Sequence, residues 1–129
     1  MPQRVLIAED EPHIVESLRF ILDLEGYEVR AVTDGREVLD AVRRHMPDVV
    51  ILDVMMPNCN GFEVLKSLKA DSVLASIPVL MLTAKGQERD RATALGLGAD
   101  VFVTKPFSNR DVLDRVRRLA GPRAQRVDG

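Results

Sequence analysis

The sequence predicts an α/β fold in three layers, a five-stranded parallel sheet covered by helices on both faces. Five short apolar runs rich in β-branched residues alternate with longer amphipathic segments. A helix between successive strands returns the chain to the same edge of the sheet, which makes the strands parallel and the crossovers right-handed. The runs 49–52 and 79–82 are apolar throughout, as is typical of central strands. A doubly wound sheet of five strands favours the flavodoxin-like order 2-1-3-4-5.

The elements can be assigned in chain order. The strands are predicted at 5–8, 29–32, 49–54, 79–82 and 101–103. The first helix begins at Pro12 and ends at Gly26, which tolerates a left-handed backbone. The second, third and fifth helices begin where a capping side chain stands three residues before an acid: Asp34 with Glu37, Asn60 with Glu63, and Ser108 with Asp111. Pro47 and Gly121 end the second and fifth helices, and the fourth spans about 88–95.

Composition limits the chain to one domain. It has 129 residues, 46% hydrophobic and 29% charged, with 18 basic against 20 acidic side chains and a formal net charge of −2. At this length about two-thirds of the unfolded surface can be buried in a single core. We expect one domain over residues 1–120 and a flexible tail or linker stub over 121–129. The near-balanced charge and few aromatic side chains argue against nucleic-acid binding by this domain.

Cysteine and hydropathy patterns indicate the cellular setting. Cys59 is the only cysteine, so no intrachain disulfide is possible, and no Cys/His cluster indicates zinc. The apolar run at 5–8 is too short for a signal peptide, and no stretch reaches the ~20 residues that span a bilayer. We therefore expect a cytoplasmic protein without membrane association. The two histidines, His13 and His45, are predicted to lie on helices away from the strand ends.

Polar residues follow four of the strands, at one edge of the predicted sheet. They are Glu9-Asp10-Glu11, Asp53, Thr83 and Thr104-Lys105-Pro106. Ligands of doubly wound sheets bind at this edge, where the order reverses between the first and third strands. Glu9, Asp10 and Asp53 would repel one another there unless a cation neutralised them. Mg²⁺ suits such a set, because it binds carboxylates, waters and phosphate oxygens without His or Cys.

Missing motifs define the type of phosphate chemistry. No Gly-rich turn follows the first strand and no Walker-type Gly-Lys-Ser/Thr occurs, so nucleotide binding is not expected. A carboxylate can itself attack phosphorus and form an aspartyl phosphate. Asp53 is the predicted acceptor, with Mg²⁺, the Lys105 ammonium and the Thr83 hydroxyl each contacting one phosphoryl oxygen.

At these residues the sequence resembles the receiver domain of bacterial two-component response regulators, over about residues 4–120. The resemblance depends on four segments: Val-Leu-Ile-Ala-Glu-Asp-Glu-Pro at 5–12, Ile-Leu-Asp-Val-Met-Met-Pro-Asn-Cys-Asn-Gly-Phe-Glu at 51–63, Met-Leu-Thr-Ala at 81–84, and Gly-Ala-Asp-Val-Phe-Val-Thr-Lys-Pro-Phe at 98–107. Each segment alone is weak evidence, whereas the four in this order and spacing are specific.

The resemblance implies a phosphorylation-dependent signalling switch. A histidine kinase or a histidine phosphotransfer protein would pass a phosphoryl group from phosphohistidine to Asp53. Glu9, Asp10 and the backbone carbonyl of Met55 would complete the Mg²⁺ site, and the Lys105-Pro106 bond would be cis. Thr83 would move toward the phosphate and vacate space that Phe102 fills, which changes the surface of the fourth helix and fifth strand. The output partner is not indicated.

Three positions depart from the usual pattern of the family. Glu9 stands where Asp is more common, so its longer side chain would reach the metal through water. Phe102 replaces the commoner Tyr, so a switch there would act through ring packing alone. Met55 and Lys85 occupy positions that tune hydrolysis, and a thioether cannot orient an attacking water as a carboxamide can. We therefore predict slow self-dephosphorylation and a long-lived phosphoaspartate.

Other interpretations of the same residues stay open. The acidic turn could be a solvated helix start, Phe102 could belong to the core, and Thr83 and Lys105 could be ordinary strand and surface residues. The protein could be a receiver-fold binding module that is never phosphorylated. It could also be a Mg²⁺-dependent phosphohydrolase resembling the haloacid dehalogenases, although these place an acid where Met55 stands.

Mixed charges in the segment 89–118 are typical of a solvated face. The placement of Asp90, Asp100, Arg110 and Arg117 is nevertheless similar to that of receivers that dimerise through the fourth helix, fifth strand and fifth helix. A homodimer that forms on phosphorylation is therefore a further hypothesis for this surface.

Overall fold

The computed structural model describes residues 2–84 and 89–121, and the elements alternate as the sequence predicts. The strands are β1 (Arg4–Ala8), β2 (Glu28–Val32), β3 (Val49–Asp53), β4 (Val79–Thr83) and β5 (Val101–Thr104). The helices are α1 (Pro12–Leu24), α2 (Val38–His45), α3 (Gly61–Ala70), α4 (Arg89–Gly96) and α5 (Asn109–Ala120). All neighbouring strands pair in parallel in the order β2-β1-β3-β4-β5, which confirms the predicted flavodoxin-like fold.

The sheet separates two apolar cores. Alternate residues of a strand point to opposite faces, so Leu6 packs beneath α2, α3 and α4 while Ile7 packs beneath α1 and α5. Every residue of β3 and β4 is buried, as expected for central strands covered on both faces. The sheet is therefore a rigid platform whose carboxyl edge presents the polar residues.

Side-chain caps define the starts of α3 and α5. The Asn60 carboxamide oxygen accepts a hydrogen bond from Phe62 N at 2.7 Å, and Ser108 Oγ accepts one from Asp111 N at 2.9 Å. Pro12 occupies the start of α1, and Gly26 has a φ of 90° just after its end. These three helix starts and the end of α1 confirm the predicted boundaries within one or two residues.

The second helix starts later than predicted and ends just before Pro47, as predicted. Asp34 bonds to Arg36 N at 2.8 Å and opens a short 3-10 turn, Gly35–Glu37, before α2 begins. Position 35 has no room for a side chain, because a Cβ there would lie 2.5 Å from the backbone oxygen of Cys59. At the other end Met46 adopts a left-handed conformation, φ 43°, ahead of Pro47, which disfavours a helical residue before it.

Two of the predicted features fall outside the described residues. The predicted start of the fourth helix at Glu88 lies outside the described residues, as does the predicted tail beyond residue 121, whereas α4 itself is described from Arg89. Within residues 2–84 and 89–121, no helix is both long enough and apolar enough to cross a membrane.

The last helix is tied to the start of the sheet. The buried side chain of Gln3 donates a hydrogen bond through Nε2 to the carbonyl oxygen of Ala120 at 2.6 Å. Arg117 of α5 forms an ion pair with Glu25 after α1. Both contacts hold the end of α5 at the amino edge of the sheet, opposite the predicted site.

Candidate functional site

The carboxyl ends of β1 and β3 bring three carboxylates together. One oxygen from each of Glu9, Asp10 and Asp53 lies within 4.8 Å of the other two. This follows from the register, since Ala8 pairs with Leu52 and the next residues, Glu9 and Asp53, therefore lie side by side at the ends of β1 and β3. Glu9 and Asp53 are buried whereas Asp10 is exposed. Asp10 is therefore the member of the cluster that faces solvent.

Glu9 is the most perturbed of these acids. Its carboxylate is fully buried, with Oε2 accepting a hydrogen bond from Glu11 N at 3.1 Å and Oε1 lying 3.1 Å from Lys105 Nζ. Burial raises the pKa of Glu9 to about 7, the Asp53 charge adds to the rise, and Glu11 N–H and Lys105 oppose it. The folded chain thus holds Glu9 at a cost that a nearby cation would relieve.

Asp53 lies at the end of β3 with only 2% of its surface exposed. Its Oδ1 accepts a hydrogen bond from Met55 N at 3.2 Å, and its Oδ2 lies 3.4 Å from Lys105 Nζ. The start of α3 presses against its backbone, because a Cβ on Gly61 would lie 2.3 Å from the Asp53 carbonyl oxygen. Only a residue without a side chain fits there, so Gly61 fixes the course of the chain beyond Asp53.

Lys105 joins the acids from the opposite side of the cleft. Its backbone N–H donates to the Thr83 carbonyl at 2.7 Å, and the following bond to Pro106 is cis, as predicted. Its ammonium contacts Glu9, Glu11 and Asp53. Burial alone would lower the pKa of Lys105, but these three carboxylates raise it above its ordinary value. The lysine is therefore charged when it faces Asp53.

The remaining predicted residues surround this centre. Thr83 is fully buried at the end of β4, beside Thr104 of β5 in the sheet register. Phe102 is half-buried and packs against the core beneath α2, α3 and α4. The Met55 side chain is 61% exposed, so it is available to solvent next to Asp53. Lys85 lies outside the described residues.

The donor set fits a hard divalent cation. Three carboxylates within reach of one another supply oxygen ligands of the kind Mg²⁺ prefers. In addition, the buried Glu9 Oε1 has no aligned hydrogen-bond donor, although Lys105 is at ion-pair distance. An acid without a full set of donors in a buried position is a group that a cation would stabilise.

Two contacts could not be read from the sequence. Glu11 was predicted only as part of an acidic turn, yet its Oε1 lies 3.1 Å from Lys105 Nζ. His13 was expected away from the strand ends, but its Nε2 is 3.5 Å from Glu11 Oε2, because His13 lies in the first turn of α1, close behind the end of β1. His45, at the end of α2, lies away from the site as predicted. A cleft of about 470 Å³ runs past Glu11, His13, Lys105 and Phe107.

Comparison with known proteins agrees with this geometry. Residues 5–117 match the family model of the response regulator receiver domain. The chain is 42% identical over 119 residues to the alkaline phosphatase synthesis transcriptional regulatory protein PhoP of Bacillus subtilis, covering 92% of this chain and 49% of that protein. It is 42% identical over 117 residues to the DNA-binding response regulator MtrA of Mycolicibacterium smegmatis, covering 91% of this chain and 50% of MtrA. The chain thus spans about half the length of these relatives.

A solved receiver domain shares the fold of this chain. The receiver domain of the sensor histidine kinase PA1611 from Pseudomonas aeruginosa superimposes with a TM-score of 0.85 at 25% identity, covering 95% of this chain and 100% of that one. That structure holds a magnesium ion coordinated in its active site cleft. With the fold, the acidic cluster and the family match in agreement, the chain belongs to the response regulator receiver domain family of two-component signalling proteins.

Proposed function

We propose that this domain is a phosphorylation-dependent switch in which Asp53 accepts a phosphoryl group from the phosphohistidine of a histidine kinase or phosphotransfer protein. The observation that carries the proposal is the position of the Asp53 carboxylate, buried between two further acids and an ammonium group 3.4 Å away. A carboxylate oxygen of Asp53 would attack phosphorus, the phosphorus–nitrogen bond would break, and its electron pair would stay on the departing imidazole.

The neighbouring residues supply positioning and charge. Lys105 would bind one phosphoryl oxygen and the Thr83 hydroxyl another. Glu9, Asp10, Asp53 and the Met55 backbone carbonyl would hold Mg²⁺, with Glu9 acting through water. Bound there, Mg²⁺ would neutralise charge on the transferred group. Receiver domains are signalling proteins rather than turnover enzymes. Phosphoryl transfer to Asp53 would therefore serve to switch the domain between an unphosphorylated and a phosphorylated conformation.

The phosphorylated state would be read at the surface of α4, β5 and α5. Thr83 lies at the end of β4 and Phe102 in the adjacent strand β5, so a shift of Thr83 toward phosphate would let the Phe102 ring repack. Because Phe102 has no hydroxyl, the response would depend on packing alone. Half-burial of this ring supports the assignment, since a fully packed ring would have no room to move.

Dimerisation through the same surface would require some side chains to change partners. Arg117 pairs with Asp114 and Glu25, and Asp100 accepts a hydrogen bond from Val79 N at 2.9 Å. The Asp90 side chain lies outside the described residues. Sedimentation of the beryllofluoride-treated chain at high concentration tests this step. A chain that stays monomeric would exclude the homodimer.

The output could lie beyond this chain. PhoP and MtrA are about twice as long and are named as a transcriptional regulator and a DNA-binding regulator. We therefore restrict the expectation of no nucleic-acid contact to the receiver domain itself, and propose that DNA is reached through a further domain of the whole protein. A cytoplasmic location follows from such a role, where a kinase and DNA are both accessible.

Intact mass after incubation with acetyl phosphate and Mg²⁺ tests the proposal. The native chain should gain one phosphoryl group, and Asp53→Asn should gain none. If neither chain gains mass, the protein is a receiver-fold binding module rather than a phosphoacceptor. Rapid hydrolysis of many donor molecules by each chain would instead favour a phosphohydrolase. Met55 argues against that function, because a thioether cannot act as the second acid.

A further inference from the structure

Glu11 has an arrangement that none of the roles above uses. Its carboxylate lies between two basic side chains, 3.1 Å from Lys105 Nζ and 3.5 Å from His13 Nε2. It stands at the N-cap position of α1 but makes no side-chain capping bond. Its side chain is directed to Lys105 and His13 rather than to the free N–H groups of the helix, which are the usual partners of an acid at this position.

Lys105 has as many acidic partners as it has N–H donors. Its ammonium lies 3.1 Å from Glu9, 3.1 Å from Glu11 and 3.4 Å from Asp53. Two of its three N–H donors form hydrogen bonds, to Glu11 and to Asp53, while Glu9 lies at ion-pair distance. A phosphoryl oxygen would therefore share Lys105 with acids that already use its donors and offset its charge, and release of one of them would leave the lysine more available to phosphate.

Burial decides which acid is released. Glu9 is fully buried and also bonded to Glu11 N, so it cannot turn to water. Asp53 would itself carry the phosphoryl group. The Glu11 side chain is 46% exposed and lines the open cleft beside Lys105. Its carboxylate can exchange Lys105 for water at the lowest desolvation cost of the three.

The charge of Glu11 also opposes the binding of phosphate by Lys105. A phosphate donor would approach Lys105 as an anion, and Glu11 places a negative charge beside this lysine that offsets part of its positive charge. We propose that Glu11 is a positioning residue that holds Lys105 in the resting site and restrains phosphorylation by small anionic donors until its contact is exchanged. The inference rests on the proposed function of Asp53.

The experiment compares Glu11→Gln with the native chain and with Glu16→Gln, an exposed acid on the same helix. Phosphorylation rates are followed by intact mass over a series of acetyl phosphate concentrations in Mg²⁺. Glu11→Gln should lower the donor concentration at half-maximal rate about fivefold, the effect of one half-exposed ion pair, and leave the maximal rate within about twofold. Added salt should narrow this difference, because it screens the cleft. Glu16→Gln should behave like the native chain.

Two further measurements separate charge from structure. Glu11→Asp retains the charge, so its donor concentration at half-maximal rate should lie close to that of the native chain. In the absence of donor, the ¹⁵Nζ signal of Lys105 should shift in Glu11→Gln but not in Glu16→Gln. An unchanged half-saturation in Glu11→Gln, or an equal change in Glu16→Gln, would overturn the role of Glu11 while leaving Asp53 as the acceptor. Failure of every chain to gain a phosphoryl group would reject the proposed function instead.

Discussion

Replacing Glu9 by Gln should stabilise the metal-free protein at neutral and alkaline pH. The pKa of Glu9 is about 7 in the folded chain against an ordinary value of 4.5. Since one pKa unit corresponds to about 1.4 kcal/mol, ionised Glu9 costs about 3 kcal/mol of folding free energy at pH 8. Gln removes this cost and can keep the bond from Glu11 N, but it loses the contact with Lys105, which still faces Glu11 and Asp53. We expect a net gain of about 2 kcal/mol.

The sign of the pH dependence makes this test specific. An acid whose pKa is raised on folding supports stability fully below its unfolded pKa, and that support is lost as pH rises from 4.5 to about 7. Urea unfolding in EDTA should therefore show the largest advantage of Glu9→Gln at pH 8 and almost none at pH 4.5. Glu16→Gln is the matched control and should track the native chain. Mg²⁺ should reduce the difference in unfolding free energy between Glu9→Gln and the native chain, because a cation stabilises ionised Glu9. A Glu9→Gln chain no more stable than native at pH 8 would refute the reasoning.

Two further predictions concern Asp53 and the chain around it. Replacing the exposed Met55 by Asn should shorten the phosphoaspartate lifetime severalfold, because a carboxamide can orient an attacking water. The loss of phosphoryl mass over time in Mg²⁺ measures this lifetime, and an unchanged lifetime in the variant would contradict the prediction. Gly61→Ala should destabilise the chain by about 3 kcal/mol in urea, because the new Cβ meets the Asp53 carbonyl. Its control, Gly96→Ala, has open space and should be neutral or stabilise by up to ~1 kcal/mol; equal effects of the two would argue against close packing at Gly61.

The sequence allowed the fold and the meeting of the acids to be predicted for one physical reason. Strand and helix periodicities are local, and the parallel topology then forces the carboxyl ends of β1 and β3 to the same edge. Glu9, Asp10 and Asp53 come together regardless of side-chain detail. Caps such as Asn60 and Ser108 are also local, because donor and acceptor lie within three residues.

Contacts between distant segments could not be predicted in this way. Glu11 and Lys105 are 94 residues apart, and their contact depends on the conformations of two long side chains. Gly35, in the 3-10 turn before α2, lies against Cys59 of a separate loop. The sequence around Glu11 and around Gly35 looks like that of an ordinary turn. Only the folded structure shows which distant residues these two contact.

The bond between Gln3 and Ala120 places the end of α5 at the rim of the sheet where β1 begins. Asp53 closes β3 at the other rim, so Gly121 and Asp53 lie at opposite ends of the strands. If Asp53 accepts a phosphoryl group as proposed, a signal to the rim of Gly121 would have to travel through the packed elements between them, and the contact between α1 and α5 is one of these. Substitutions in that contact would then strengthen or weaken the signal without touching the chemistry.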